Sequence, residues 1–352
     1  MPTAARKYDD LRNRLNNLGS ALVAYSGGVD STLLAFTAHA VLGDRCLAVL
    51  AVSDVHPASE IDEARATARN LGLRLHEAET YELTDPRFQA NPIDRCYYCK
   101  AEMFALLRTI ATTRGITWVL DGTNADDTGE RRPGRRAAVE YGVVSPLLEV
   151  GLHKSEIRVL SEQLGLPNWD KPAGACLATR FPYGTPITEE ALERISSAEA
   201  AARALGLRQV RVRAHGEVAR IEVDPAEMER AFALRDQLAA AVKHAGFSFV
   251  AQDREGYRSG SFDGERAADA ENEETGRHHG GVTAPSRPHS GPREGSTHTC
   301  PAVRRPCIRV SNQARPMPRL MGMATNELVY PSAPTHEPAD GAARNAPTVA
   351  NG

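Results

Sequence analysis

Apolar residues in this chain cluster in short unbroken runs separated by longer mixed segments. Positions 21–25 and 46–52 are apolar almost throughout, the pattern of strands covered on both faces, and 74–78 and 118–120 are shorter strand candidates. The intervening stretches 32–42, 58–71 and 100–114 have helical length and mixed polarity. Alternation of this kind predicts an α/β fold with a doubly wound parallel sheet. In such sheets ligands bind beyond the carboxyl ends of the strands. The opening turn after residue 25, Ser53 and Asp54 after the second strand, and Asp121, Gly122, Thr123 and Asn124 after the fourth should therefore share one crevice. The loop 121–127 reads by itself either as a polar strand end or as part of a nucleotide and metal pocket.

A different texture follows Pro167. A linker-like stretch over 168–174 precedes a predicted helix at 189–205, strands at 209–214 and 219–223, a helix at 226–245 and a strand at 248–251. That is a smaller α+β domain. From residue 264 onward, periodicity gives way to Pro, Gly, Arg, His, Ser and Thr, the composition of a disordered tail. The expected organisation is 1–167, 168–263 and 264–352.

The turn Ser26-Gly27-Gly28-Val29-Asp30-Ser31 lies between the first strand and first predicted helix. Gly27 and Gly28 can take positive φ and let backbone N–H groups approach an anion, while the helix N-terminus favours negative charge. Ser26 and Ser31 add hydroxyl donors. Asp30 would repel phosphate and is read as a ligand of Mg2+ bridging the phosphates of a nucleotide. A capped strand-to-helix turn is the plainer alternative. The turn is not a Walker A loop, because no lysine follows its glycines, and Rossmann spacing is absent. It resembles the PP-loop of ATP pyrophosphatases, which split ATP between the α- and β-phosphates.

Charge and composition narrow the partners. With 45 acidic against 42 basic residues, the net charge of −3 implies no polyanion. Residues 6–18 lack the apolar core of a leader and no run is long enough to span a membrane, so cytoplasm is expected. Cysteines there are read first as metal-binding or catalytic. Cys96 and Cys99 form a Cys-x-x-Cys pair, and Cys176 stands apart. The pair alone fits a redox couple, half a zinc site or two buried thiols. Cys46 lies on a strand expected to be buried, and Cys300 and Cys307 fall in the tail. Three thiolates without an obvious fourth fit an iron-sulfur cluster with one open iron. Arg211 and Arg213 alternate on a predicted strand, so they share a face and either clamp a phosphate or line a solvated surface.

From Tyr8 to about Phe262 the chain is similar to LarE, a family of PP-loop sulfurtransferases. The resemblance rests on the opening turn, 91–100, 121–127, Arg132-Pro133-Gly134, Ser145-Pro146-Leu147, 171–184, 211–213, 219–223 and 256–261. It implies an adenine nucleotide alpha hydrolase-like fold and ATP-dependent conversion of the carboxylates of pyridinium-3,5-biscarboxylic acid mononucleotide to thiocarboxylates, in making a nickel-pincer nucleotide. ATP and Mg2+ would be held by Ser26, Gly27, Gly28, Asp30, Ser31, Ser53, Gly122 and Asn124. Cys176 matches the sulfur-bearing position. In one branch it is sacrificed to dehydroalanine. In another a 4Fe-4S cluster, here on Cys96, Cys99 and Cys176, relays sulfide from an added donor, and the trio favours that branch. Arg180, Arg211, Arg213 and Glu199 would contact substrate, with Glu222 nearby, although Arg180 also reads as a surface arginine and Glu199 as a solvent-facing one. A homo-oligomer, a hexamer in the family, is implied, with neither nucleic acid nor membrane as partner. The tail departs from the family. A tRNA-thiolating enzyme and a nucleotide-binding protein without turnover remain the alternatives.

Overall fold

In the computed structural model the described residues are 2–128, 133–172 and 174–258. The tail with Cys300 and Cys307, residues 259–262, and Arg132 lie outside them. The described residues fall within one compact unit, Met1–Val282. Among them no helix is long and apolar enough to cross a membrane.

The chain runs through α1 (Ala4–Leu18), β1 (Ala21–Tyr25), α2 (Val29–Leu42), β2 (Cys46–Val52), α3 (Ala58–Asn70), β3 (Leu75–Glu79), α4 (Pro86–Gln89), α5 (Arg95–Thr113) and β4 (Trp118–Leu120). Then come α6 (Pro133–Glu140), α7 (Pro146–Glu149), α8 (Lys154–Gln163), α9 (Glu189–Ala204), β5 (Val210–His215), β6 (Val218–Val223), α10 (Met228–Ala233), α11 (Arg235–His244) and β7 (Phe249–Gln252). The first sheet has the order β3-β2-β1-β4 and every pairing is parallel, with Val23 opposite both Ala48 and Leu120. Successive strand side chains point to opposite faces, and both faces here are dry. Val23, Tyr25, Ala48 and Leu50 join one core with Leu11, Leu15, Leu33 and Ile157. Leu22, Leu47, Val49 and Val119 join the other with Phe104 and Leu107. The doubly wound sheet expected from the apolar runs is thus present.

The second sheet has the order β5-β6-β7, antiparallel between β5 and β6 and parallel between β6 and β7. Leu192, Ile195, Ala198 and Ala202 of α9 pack against Val210, Val212, Ala219 and Ile221. Their spacing of three or four residues lines one helical face. This core also takes in Val55 and Phe88 from the first half of the chain. Backbone bonds reinforce that link: Leu177 N–H donates to Val55 O at 2.8 Å, Gly184 to Asn91 O at 2.9 Å and Ile187 to Gln89 O at 2.8 Å. The segment 176–187 is therefore strapped onto loops of the first half.

Several boundaries differ from expectation. The first helix after β1 begins at Val29 rather than residue 32, so Asp30 and Ser31 sit in its first turn. The helix expected at 100–114 begins at Arg95, which carries Cys96 and Cys99 onto one helix with a three-residue spacing that puts them on the same side. The single helix expected at 226–245 is broken into a 3-10 turn, α10 and α11, with a bend at Leu234 that no glycine or proline announces. Residues 4–18, where only the absence of a leader was read, form α1. Its Lys7 reaches Glu156 of α8 at 2.7 Å and the Gly151 carbonyl at 2.8 Å.

Candidate active site

Strand order places the opening turn between two neighbours. Because β1 lies between β2 and β4, the residues that leave its carboxyl end are flanked by Ser53 beyond β2 and by Gly122 beyond β4. Gly27 takes φ +70°, and a Cβ there would stand 2.5 Å from Ala64 Cβ and 2.8 Å from Ala64 Cα on α3. Only glycine fits. Gly28 instead has extended backbone, φ −76° and ψ 159°, and serves as the N-cap of α2 without a side-chain capping bond. The expectation of positive φ thus holds for Gly27 and fails for Gly28, because one left-handed residue already completes the turn.

With no capping side chain, the first-turn N–H groups of α2 are left for an anion. The two serine hydroxyls stand beside them: Ser26 Oγ and Ser31 Oγ are 3.0 Å apart, Ser31 Oγ donates to Gly28 O at 3.1 Å, and it accepts from Ser26 N–H at 3.2 Å. A Cβ on Gly122 would lie 3.0 Å from Ser31 N, so that glycine lets β4's loop close over the turn. Ser53 is turned toward His56, with Oγ to Nδ1 at 3.3 Å. Burial holds the His56 imidazole below its ordinary pKa, against a raising pull from Glu82. These residues gather hydrogen-bond donors around the turn with an acidic side chain, Asp30, beside them, which fits a metal-bound polyphosphate.

Asp30 is not bare. It is ion-paired to Lys154 Nζ and accepts a hydrogen bond from Asn124 Nδ2 at 3.3 Å. Behind the turn, buried Asn168 donates from Nδ2 to Gly27 O and to Thr32 Oγ1, each at 2.9 Å. The stretch expected to be a linker therefore braces the turn. Neither Lys154 nor Asn168 belongs to a recognisable sequence pattern. Each reaches Asp30 or Gly27 across more than a hundred residues of chain, and only the fold supplies that neighbourhood.

Cys176 stands just before a 3-10 turn, Leu177–Arg180, on the strapped segment. Beneath it lies Arg180, fully buried rather than on the surface. Its Nη1 donates to Ala175 O at 2.9 Å, Cys176 O at 3.1 Å and Thr179 Oγ1 at 2.8 Å. Glu199, also fully buried rather than solvent-facing, receives Arg180, and Arg203 Nη2 at 2.8 Å. Arg211 and Arg213 are 5 % and 6 % exposed, so the solvated-face alternative is excluded. Arg213 is engaged by Glu222 at 3.0 Å and by the Thr179 carbonyl at 2.7 Å. Arg211 lies over the Tyr257 ring, 5.5 Å from its centroid. Burial, then the nearby Arg180 charge, holds the Arg211 guanidinium below its ordinary pKa, and an anionic ligand would complement it.

The three cysteines share a neighbourhood. Cys99 feels the charges of both Cys176 and Cys96, but burial and then Glu82 push its thiol pKa well up. Its Sγ lies 3.7 Å from Glu82 Oε1. Cys96 is exposed while Cys99 and Cys176 are partly buried. Among the described residues no three His, Cys, Asp or Glu side chains are grouped to hold a metal. Cys96, Cys99 and Cys176 are the residues that would hold the 4Fe-4S cluster expected from the sequence.

Comparison with known proteins agrees with this architecture. The family model described as NAD synthase matches residues 4–96, which span β1, the phosphate turn and α2. A glutamine-hydrolyzing GMP synthase of Aeropyrum pernix is 30% identical over 52% of this chain and 39% of its own length. Similarity extends much further to an uncharacterized Synechocystis protein, slr1717, with 44% identity over 72% of this chain and 96% of the relative. The pyridinium-3,5-bisthiocarboxylic acid mononucleotide synthase of Lactiplantibacillus plantarum is 37% identical over 74% of this chain and 95% of its own. Since that similarity runs over about three quarters of this chain and nearly the whole relative, the chain belongs to the LarE family of PP-loop proteins.

Proposed function

We propose that this protein is an ATP-dependent sulfurtransferase that adenylates the carboxylates of pyridinium-3,5-biscarboxylic acid mononucleotide and converts them to thiocarboxylates. The observation that carries this reading is the presence, in one compact unit of a LarE-family chain, of an uncapped phosphate turn and a cysteine braced by buried arginine. A carboxylate is a poor electrophile, so its oxygen first attacks the α-phosphorus of ATP. Ser26, Gly27, Gly28 and Ser31 would hold the pyrophosphate as the P–O bond breaks. Mg2+ would sit on Asp30 and offset the charge developing on that leaving group.

The Cys176 sulfur then attacks the acyl carbon and AMP departs with the bonding pair. Loss of the Cys176 α-proton and cleavage of its Cβ–Sγ bond would leave thiocarboxylate on the product and dehydroalanine in the chain. Arg180 holds the Cys176 carbonyl and so orients the thiol, a positioning role. Arg211 and Arg213 present a buried cationic face to which the nucleotide phosphate would bind. No step is routed through an iron-sulfur cluster, which Cys96, Cys99 and Cys176 would hold and which would supply sulfide in place of the Cys176 thiol.

The test is a single-turnover reaction of the full chain with ATP, Mg2+ and the pyridinium mononucleotide under anaerobic conditions. Pyrophosphate release dependent on that substrate, a thiocarboxylate product and loss of the mass of hydrogen sulfide at Cys176 are expected. Repeated turnover on added sulfide with Cys176 intact, lost in Cys96→Ala, would replace the sacrificial step by the cluster. Pyrophosphate release with tRNA in place of the pyridinium substrate would sink the substrate assignment.

A further inference from the structure

The side chains around Cys176 are mostly cations. A ligand with two carboxylates and a phosphate suits Arg211 and Arg213, and Arg180 lies beneath the cysteine. One carboxylate stands close to them without a partner. Glu60 lies in the first turn of α3, half-buried, and its carboxylate makes no hydrogen bond or ion pair among the described residues.

The strap brings Glu60 to the cysteine. Leu177 N–H bonds to Val55 O, which ties the residue after Cys176 to the loop that leads into α3. On the other side of the cysteine, a Cβ on Gly174 would stand 2.9 Å from Glu60 Oε2, so the backbone two residues before Cys176 lies against the carboxylate. The Glu60 charge acts on Arg180, Arg211 and His56. Neither guanidinium pairs with it: Arg180 is held by Glu199, and Arg211 lies over the Tyr257 ring. An unpaired carboxylate repels a ligand that is anionic throughout and attracts a positive centre, and partial burial strengthens both effects. The pyridinium nitrogen is the one positive centre of the proposed substrate.

We propose that Glu60 is a specificity-determining residue that recognises the positive charge of the pyridinium ring, while Arg211 and Arg213 take the nucleotide phosphate. Glu60 thereby selects the aromatic cation against the neutral 1,4-dihydropyridine of nearly the same outline. The inference rests on the pyridinium substrate of the proposed function. A purely structural Glu60 would brace α3 against the strap without distinguishing one ring from the other.

The distinguishing experiment titrates the full chain calorimetrically with pyridinium-3,5-biscarboxylic acid mononucleotide and, anaerobically, with its ring-reduced 1,4-dihydro form, which keeps both carboxylates and the phosphate. Wild type is expected to bind the pyridinium form about tenfold or more tightly than the dihydro form. Glu60→Gln should weaken the pyridinium form by about tenfold and leave the dihydro form within about twofold, and Glu60→Asp should keep part of the preference. Binding of ATP with Mg2+ to Glu60→Gln within about twofold of wild type reports that the variant is folded. No preference in wild type, a preference that survives Glu60→Gln, equal weakening of both ring forms, or loss of ATP binding would each overturn the inference while leaving the substrate assignment standing. A wild-type chain that binds ATP but neither ring form would remove both.

Discussion

Arg180 and Glu199 meet in a fully buried ion pair, Nε to Oε1 at 2.8 Å and Nη2 to Oε2 at 3.1 Å, that joins the Cys176 strap to α9. Glu199 also accepts the Val212 N–H at 3.0 Å, so the pair reaches strand β5 as well. One fork thus sets the cysteine against the sheet that carries Arg211 and Arg213.

Removing Arg180 would leave the buried Glu199 carboxylate with Arg203, the nearby Arg211 charge and the Val212 amide. Arg180→Met should cost about 3–5 kcal/mol in urea unfolding, and Arg180→Met combined with Glu199→Leu should cost less than the single change. Burial alone would raise the Glu199 carboxyl, but Arg180, Arg211 and the Val212 amide outweigh it and hold the pKa below the ordinary range. Such a group stabilises the fold above its unfolded pKa, about 4.3, and that contribution is lost as pH falls through the folded value. The stability gap between wild type and Arg180→Met should accordingly narrow in acid. A gap that stays constant to about pH 3 would show that the carboxylate is not the cause.

The two glycines of the turn should respond differently to alanine. Gly27→Ala forces a Cβ to within 2.5 Å of Ala64 at positive φ, whereas Gly28→Ala meets nothing closer than Ser26 Oγ at 3.4 Å. Gly27→Ala is expected to destabilise the protein by about 1–3 kcal/mol and to abolish nucleotide binding, while Gly28→Ala remains within about 1 kcal/mol of wild type. Thermal melts with and without ATP read both effects.

Asn168 gives a third expectation. Its Nδ2 bridges Gly27 O and Thr32 Oγ1, and its buried Oδ1 has no hydrogen-bond partner among the described residues. Asn168→Asp would set a carboxylate against the Gly27 carbonyl, so it should destabilise more than Asn168→Ala, which loses about 1–3 kcal/mol. Equal losses in the two variants, measured by urea unfolding, would mean that the turn relaxes away from residue 168.

Thiol reactivity should rank by burial. Cys96 is exposed and should label first in mild alkali. Cys99 should lag, and Cys46, buried with its pKa pushed up to about 12, should label only on unfolding. Burial likewise pushes the Tyr25 phenol up to about 12. In alkali the unfolded chain releases the Cys46 proton near its ordinary pKa while the native state keeps it. Stability should therefore fall by about 1.4 kcal/mol per pH unit between roughly pH 9 and 12 from this thiol. Cys46→Ala should flatten that part of the alkaline unfolding curve.

The strands and the phosphate turn could be read from local patterning. The runs that became β1 and β2 are apolar on both faces because both faces are covered, and such a run is legible without knowing what covers it. The turn after β1 was legible because glycine and serine at fixed offsets are a local requirement of an anion-binding bend. Its helix started three residues early, since Gly28 caps it with no side chain to announce the boundary. The rest depended on tertiary structure. The charges of Arg180, Glu199, Arg211 and Arg213 read either as substrate contacts or as surface, and only α9 and β5 closing over them shows that they are buried. The cysteines were legible as a Cys-x-x-Cys pair and a distant third, and only the fold brings Cys176 near Cys99. Lys154 and Asn168 lie 124 and 141 residues from their partners in the turn. Hydrogen-bond and ion-pair forces act over a few ångströms, so pairings at that separation exist only once the sheet has brought the chain together.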